Sequence, residues 1–132
     1  MIAKLEPYKD LLQEKKAFAH LGTVMEDGTP QVTPVWFDWD GAHIRVNSAQ
    51  GRVKDRNMRR RSAVALSILD PDNAYRHLSI RGRVVEVSEA GADAHIDTLA
   101  KKYLGQERYP FRRAGEVRVT YKILPEHVGG ID

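Results

Sequence analysis

The chain is 132 residues long, with 42% hydrophobic and 30% charged residues, which suits a single packed core and is too apolar for a disordered chain. Its formal net charge of +3 is gathered in residues 52–61 and 108–113, which points to a local anion and away from a long polyanion. It has no cysteine, which excludes disulfides, thiolate nucleophiles and cysteine-based metal or iron–sulfur centres and fits a reducing, cytoplasmic setting. The early charges and the lack of a long apolar run lead us to expect neither a signal segment nor a membrane span. No shift in composition or internal repeat divides the chain, so residues 1–132 are expected to form one domain.

Pro7 to Lys16 reads as a short amphipathic helix, with Tyr8, Leu11, Leu12 and Lys15 near one face. Ala17 to Met25 reads as a strand leading into Asp27-Gly28, and Gln31 to Trp39 as its returning partner. Pro34 lacks an N–H and marks an edge, a bulge or a break in that second strand. Asp40-Gly41 turns the chain into a third strand over 43–47, completing an expected three-strand meander. Ala63 to Leu69 is a continuous apolar run, which predicts burial on both faces or at an interface. Arg76 to Val87 is a long strand with a bend at Gly82, and Glu89 to Leu104 a helix closed by Gly105. Tyr109 to Arg113 is a loop, Glu116 to Leu124 the last strand, and Gly129-Gly130 a loose tail. About six antiparallel strands with flanking helices imply a mainly β fold, a small barrel with little interior room for a ligand. A ligand would then lie in a surface groove that a second subunit could cover.

The meander ends at Asn47-Ser48-Ala49-Gln50-Gly51-Arg52, after which a helix opens with Lys54 and Arg56. A strand turning into a helix N-terminus presents unpaired N–H groups and a positive dipole end, and so makes an anion site. Arg52 adds a bidentate fork and Lys54 a point charge suited to phosphate oxygens. Helices with a solvated basic face have the same spacing, and nucleic acid would also be drawn to six positive charges between Arg52 and Arg61. Spacing alone leaves the three readings open. Val53 and Met58 are the helix's only apolar anchors, so it is expected to pack weakly.

Three stretches carry a family likeness. They are Ala19 to Val24 with Asp27 to Trp36; Asn47-Ser48 with Gly51 to Arg60; and Ala63 to Asp70 continuing into Ser79 to Val84. Together they resemble the pyridoxamine 5′-phosphate oxidase-like, flavin- and deazaflavin-binding split β-barrel proteins, and most of all the small reductases that use coenzyme F-420. The resemblance implies an FMN-binding-like split β-barrel and a homodimer with two cofactors at the subunit interface. By the same analogy Arg52 and Lys54 hold the cofactor phosphate, and Asn47, Ser48 and Ala49 lie along the ribityl chain and ring edge. Thr33, Pro34, Val35 and Trp36 line the ring pocket. The region of Tyr75 and His77 and the loop carrying Tyr109 and Arg112 reach the cofactor or substrate from the neighbouring subunit.

Vitamin B6 oxidation is not expected, because the chain is short and lacks the basic C-terminal motif with which those oxidases hold their substrate's phosphate. Arg56, Arg59, Arg60 and the Arg112-Arg113 pair suit the anionic tail that coenzyme F-420 has and FMN lacks. These features favour an F-420-dependent reductase passing hydride from reduced deazaflavin to an electron-poor conjugated small molecule. The alternatives are an FMN-dependent oxidoreductase on the same fold and a non-catalytic cofactor or haem carrier. A nucleic-acid partner is disfavoured because the basic helix carries no aromatic stacking platform, and no membrane partner is expected. The five histidines are scattered without zinc-site spacing; His77 and Tyr75 are the candidate proton donors, with solvent as the alternative.

Overall fold

The computed structural model describes residues 2–130. The chain opens with α1 (Ile2–Leu5), a 3-10 turn (Glu6–Tyr8) and α2 (Lys9–Gln13), then β1 (Ala19–Val24), β2 (Pro30–Val35), β3 (Phe37–Trp39) and β4 (Ile44–Ala49). After α3 (Val53–Arg60) come β5 (Ala63–Leu69), β6 (His77–Ser88), α4 (Ala92–Leu104) and β7 (Arg118–Gly129). The strands form one antiparallel sheet of seven, in the order β2-β1-β5-β6-β7-β4-β3. The two edges of that sheet, β2 and β3, are separated in sequence only by Trp36. One residue spans only about 3.3–3.6 Å, so the sheet must curl until its edges meet. The result is the mainly β, split-barrel architecture expected from the sequence.

This arrangement corrects the expected meander. Gln31 to Trp39 is not one strand; β2 pairs with β1 and β3 with β4, and the chain crosses the split at Trp36. Pro34 sits on an edge strand, where its missing N–H leaves no gap in a central ladder. The N-terminal helix is also displaced from Pro7–Lys16: helix ends at Gln13, and Lys15 instead pairs with Asp70 and Asp72 at 2.9 and 3.1 Å.

Inside the curl, Leu21, Phe37, Ile44, Leu78, Tyr121 and Ile123 are almost wholly buried, and Leu5, Leu11 and Leu12 join the same core from the N-terminal helices. The interior is filled by side chains. In β5, Val64, Leu66 and Ile68 are buried while Ala63, Ala65, Ser67 and Leu69 are exposed. The expectation of burial on both faces therefore fails within the chain. Small alanines in the outward positions made an alternating strand read as a continuous apolar run. β6 is irregular at Gly82, as its sequence predicts, with a register shift between Arg81 and Gly82. A Cβ there would stand 2.1 Å from the Leu124 carbonyl oxygen, so only glycine permits this approach of β6 and β7. β7 runs on to Gly129, past the expected end at Leu124, because β6 continues to pair with it. Helix α4 ends, as expected, at Gly105 in the left-handed conformation. No helix of the described residues is long and apolar enough to cross a membrane.

The N-terminal helices are fastened by Arg76. Its guanidinium donates to both carboxylate oxygens of Asp10 at 2.8 Å and to Asp70 at 2.9 Å. The hydrogen bond from Arg76 lowers the Asp10 carboxyl to about 2, and a hydrogen bond from Lys15, with others, holds Asp70 well below the usual carboxylate range. Carboxyls depressed in the folded state stabilise it above their ordinary value, and that stability is lost as pH falls through the folded value. The urea midpoint should therefore drop between the ordinary 3.8 and about 2. In Arg76→Leu the midpoint should be lower at neutral pH and the acid drop shallower; an unchanged drop would remove this cluster as its cause.

Candidate active site

Strand β4 leaves the sheet at Ala49, and Gly51, with φ of 91°, turns the chain toward α3. Arg52 is extended at the helix N-cap and its side chain makes no capping hydrogen bond. The N–H groups of the first turn thus keep their capacity for an anion. The turn is braced from within by Asp55, which is buried. Its carboxylate accepts the Gly51 N–H at 2.9 Å, Arg59 Nε at 2.8 Å and the hydroxyl of Tyr121. Burial opposes ionisation, yet the hydrogen bonds from Tyr121, Gly51 and Arg59 hold the Asp55 carboxyl low, while burial and Asp55 push the Tyr121 phenol up. Asn57 is buried as well and donates to Thr23 Oγ1 at 3.0 Å. The basic helix is therefore anchored firmly, through two polar side chains beside Met58, and the expectation of weak packing is corrected.

A cavity of about 330 Å³ opens beside this turn. One wall is basic: Arg52, Lys54 and Arg118. Among the described residues Lys54 makes neither an ion pair nor a side-chain hydrogen bond, and burial, with the neighbouring charges of Arg52 and Arg118, lowers its ammonium. Glu116 partly balances the other two, at 3.5 Å from Arg52 and 2.9 Å from Arg118. Much of the remaining lining is aromatic: Phe18, Trp36, Tyr109 and Phe111. Phe18 and Trp36 each stack on Tyr103, with ring centroids 5.6 and 5.2 Å apart. Trp36 meets the edge of Tyr109, which in turn meets Phe111. Pro34, Val35, Asn47 and Ile96 complete the lining.

Of the residues expected at the site, Pro34, Val35, Trp36, Asn47, Arg52 and Lys54 are brought together here. Thr33 lies beside them on β2, half-buried and off the lining. Ser48 and Ala49 are buried; Ser48 shares the inward face of the sheet with its ladder partner Val119, and its hydroxyl has no hydrogen-bond partner. Arg56 donates to the Gly51 carbonyl at 3.1 Å, and Arg112 pairs with Asp93 and Asp97. Tyr75, 86% exposed between β5 and β6, and His77 at the start of β6 do not line this cavity. Tyr109 and Phe111, whose loop was expected to reach the cofactor or substrate from a neighbouring subunit, line the cavity of their own chain. Three lining residues were not in the expected set: Phe18, Ile96 and Arg118. Arg118 had a signal, since it alternates with apolar Val117 and Val119, but a polar alternate position reads as solvent-facing and this one is buried beside Asn47, Glu116 and the Tyr109 ring.

A partly buried polar network runs back from Asn47 and Arg118 of the lining. Asp38 takes a bidentate hydrogen bond from Arg45 at 2.8 and 2.7 Å and lies 3.2 Å from His95 Nε2. His95 Nδ1 is 3.1 Å from Thr120 Oγ1 and 3.2 Å from Asn47 Nδ2, and Asn47 Oδ1 accepts from Arg118 Nε at 2.9 Å. Although burial opposes it, hydrogen bonds from His95 and Arg45 hold the Asp38 carboxyl below its usual value.

The profile of the pyridoxamine 5′-phosphate oxidase family matches residues 5–132. The fold is similar to that of a solved F-420 reductase, with 35% identity over 91% of this chain and 94% of that one and a TM-score of 0.80. It is also similar to a conserved hypothetical protein of Mycobacterium tuberculosis (21% identity, 96% and 83% covered, TM-score 0.74). A candidate pyridoxamine 5′-phosphate oxidase from Listeria innocua shares it too (20% identity, 96% of both chains covered, TM-score 0.71). Comparison with curated proteins gives no match. On the match along nearly its whole length and the likeness at 35% identity, the chain belongs to the pyridoxamine 5′-phosphate oxidase family.

Proposed function

We propose that this protein is an F-420-dependent reductase that passes hydride from reduced deazaflavin to an electron-poor conjugated small molecule. Family membership and the likeness to an F-420 reductase support an oxidoreductase of the flavin or deazaflavin type. The observation that carries the reading is Lys54: a half-buried, unpartnered ammonium beside Arg52 and Arg118, at an uncapped helix N-terminus, facing an aromatic cavity. Charge left without a partner in a partly desolvated place is costly unless a ligand supplies the counter-charge. The donor set fits a phosphate, and the neighbouring Trp36 and Pro34 fit a planar ring. When bound, the deazaflavin supplies the hydride at its C5. The chain's part is to anchor the phosphate, orient the ring and exclude water.

The second reading is an FMN-dependent oxidoreductase, and one observation favours it. Two arginines suited to the longer anionic tail are already engaged, Arg59 with Asp55 and Arg112 with Asp93 and Asp97. Arg60 and Arg113 make no ion pair among the described residues and remain for that tail. In either reading the cofactor lies in an open groove, and a second copy of the chain would cover it. The exposed apolar face that holds Val32, Ala63 and Ala65, with a shallow groove between β1, β5 and β6, supports such a homodimer.

Lys54→Ala should weaken cofactor binding by about 1.5–3 kcal/mol, the range for hydrogen bonds to charged groups, without lowering thermal stability, because Lys54 has no partner among the described residues and is repelled by Arg52 and Arg118. Unchanged affinity in both Lys54→Ala and Arg52→Ala would return the turn to the solvated faces. Fluorescence titration, with Trp36 in the cavity as reporter, should give tighter binding of coenzyme F-420 than of FMN, by a margin that shrinks with added salt because the outer contacts are exposed. Tighter FMN binding at every salt concentration would decide for the second reading. Sedimentation at micromolar concentration should show a dimer; a monomer that binds cofactor would rule out a site shared between subunits.

A further inference from the structure

The hydrogen-bonded chain behind the cavity has its polarity set at both ends. At one end Arg118 donates Nε–H to Asn47 Oδ1 at 2.9 Å. A guanidinium only donates, so Asn47 must turn its oxygen to Arg118 and its amide nitrogen the other way. That nitrogen lies 2.9 Å from the Ala92 carbonyl oxygen and 3.2 Å from His95 Nδ1. One amide hydrogen goes to Ala92, and the other has His95 Nδ1 and, at 3.4 Å, Thr120 Oγ1 as acceptors, the ring nitrogen being the nearer. Across the ring Nε2 faces the Asp38 carboxylate, which only accepts, so the ring proton belongs on Nε2 and leaves Nδ1 to accept from Asn47 or from the Thr120 hydroxyl at 3.1 Å. The imidazole proton then sits on Nε2, 3.2 Å from Asp38 Oδ1, and Asp38 is itself held by the fork of Arg45. His95 and Arg118 are 4% and 6% exposed.

Arg118 is the member that reaches the cavity. Its Nη1 is taken by Glu116 at 2.9 Å and its guanidinium lies over the Tyr109 ring, 5.2 Å from the centroid. Its Nη2 has no partner among the described residues, and its charge falls on Lys54 together with that of Arg52. We infer that His95 is a positioning residue: oriented by Asp38 and acting through Asn47, it holds Arg118 as a third cation for the phosphate that Lys54 and Arg52 receive. This rests on the reading of the cavity as a cofactor site, and it adds a residue far from the basic turn to the set that determines phosphate recognition.

The first test needs no ligand. Nitrogen-15 spectra of the imidazole should place the His95 proton on Nε2, and the Arg118 Nε–H should exchange slowly with solvent. In His95→Leu that protection should fall by about tenfold or more, the worth of a hydrogen bond to a charged group. A proton on Nδ1 in the unsubstituted protein, or unchanged Arg118 protection in His95→Leu, overturns the inference; the first of these does not depend on the variant's folding. The second test titrates FMN against riboflavin, which is the same ring without phosphate. His95→Leu and Arg118→Leu should each weaken FMN by about tenfold to a hundredfold and leave riboflavin unchanged. The double variant should be no weaker than Arg118→Leu alone, since one residue acts through the other. Losses that multiply, or an equal loss for riboflavin, overturn it. If the unsubstituted protein binds neither FMN nor coenzyme F-420, the cofactor reading fails, and the ligand-free spectra still decide whether His95 positions Arg118.

Discussion

Everything in this fold depends on the passage from Val35 to Phe37 through one residue. Two strands adjacent in sequence end as opposite edges of a seven-stranded sheet, which is possible only if the sheet curls through nearly a full turn. The curl leaves a slit in place of a ladder, and Tyr103 of α4 spans it. Its hydroxyl donates to the Ala17 carbonyl at 2.6 Å on one side and accepts the Phe37 N–H at 3.2 Å on the other. Its ring lies between Phe18 and Trp36. Burial pushes the phenol up to about 12, so the clasp stays protonated at neutral pH. Lys102, next along α4, donates to the Phe37 carbonyl at 2.9 Å, and burial against the rings lowers its ammonium to about 8. Backbone groups that an edge strand would leave unpaired are met by side chains from one helix. The cavity is a consequence of the same slit, since Pro34, Val35 and Trp36 line it where the strands part.

The basic turn shows how a cation can be kept available. Arg59 neutralises Asp55, and Asp55 in turn pins Gly51 and Tyr121. A buried carboxylate inside a run of arginines therefore spends its charge on holding the loop, at a distance from Lys54. Glu116 serves Arg52 and Arg118, so of the three cations on the basic wall Lys54 alone has no counter-charge within the described residues. The attraction for an anion is concentrated at one ammonium and one helix end, with two guanidiniums in support.

Much of this could be read from the sequence where local chemistry decides. Asp27-Gly28 and Asp40-Gly41 turn as their composition requires, Gly105 ends α4, Gly82 marks the irregularity in β6, and the strand passes into a helix at Asn47–Arg52. What was not legible depends on partners distant in sequence. Nothing in Gln31 to Trp39 says that its two halves pair at opposite ends of the sheet; a single half-buried Trp36 gives no break signal of the kind glycine gives. In β7 the apolar alternation of Val119, Tyr121 and Ile123 marked the core, but it could not say that Arg118 and Thr120 are buried as well. Asp55 and Asn57 were hidden for a related reason. A polar residue in a helix full of arginines looks solvated until Tyr121 and Thr23, 66 and 34 residues away, are seen to meet it.

The same long-range partners bear on selectivity. A surface arginine contributes little to binding while it is solvated and flexible. Arg59 and Arg112 pair with carboxylates and remain exposed. Arg118 also pairs with a carboxylate, Glu116, but it is desolvated, held by Asn47 and the Tyr109 ring, and keeps its Nη2 edge free among the described residues. An oriented donor loses little freedom on binding and gains more per hydrogen bond than a mobile one. On the proposed reading, Arg118 would add to Lys54 and Arg52 a donor fixed in place before any ligand arrives. The outer arginines would then act through their field and not through fixed contacts, and on the same proposal the distinction between cofactors with one anionic group and those with several would fall to the weakest, most screened part of the surface.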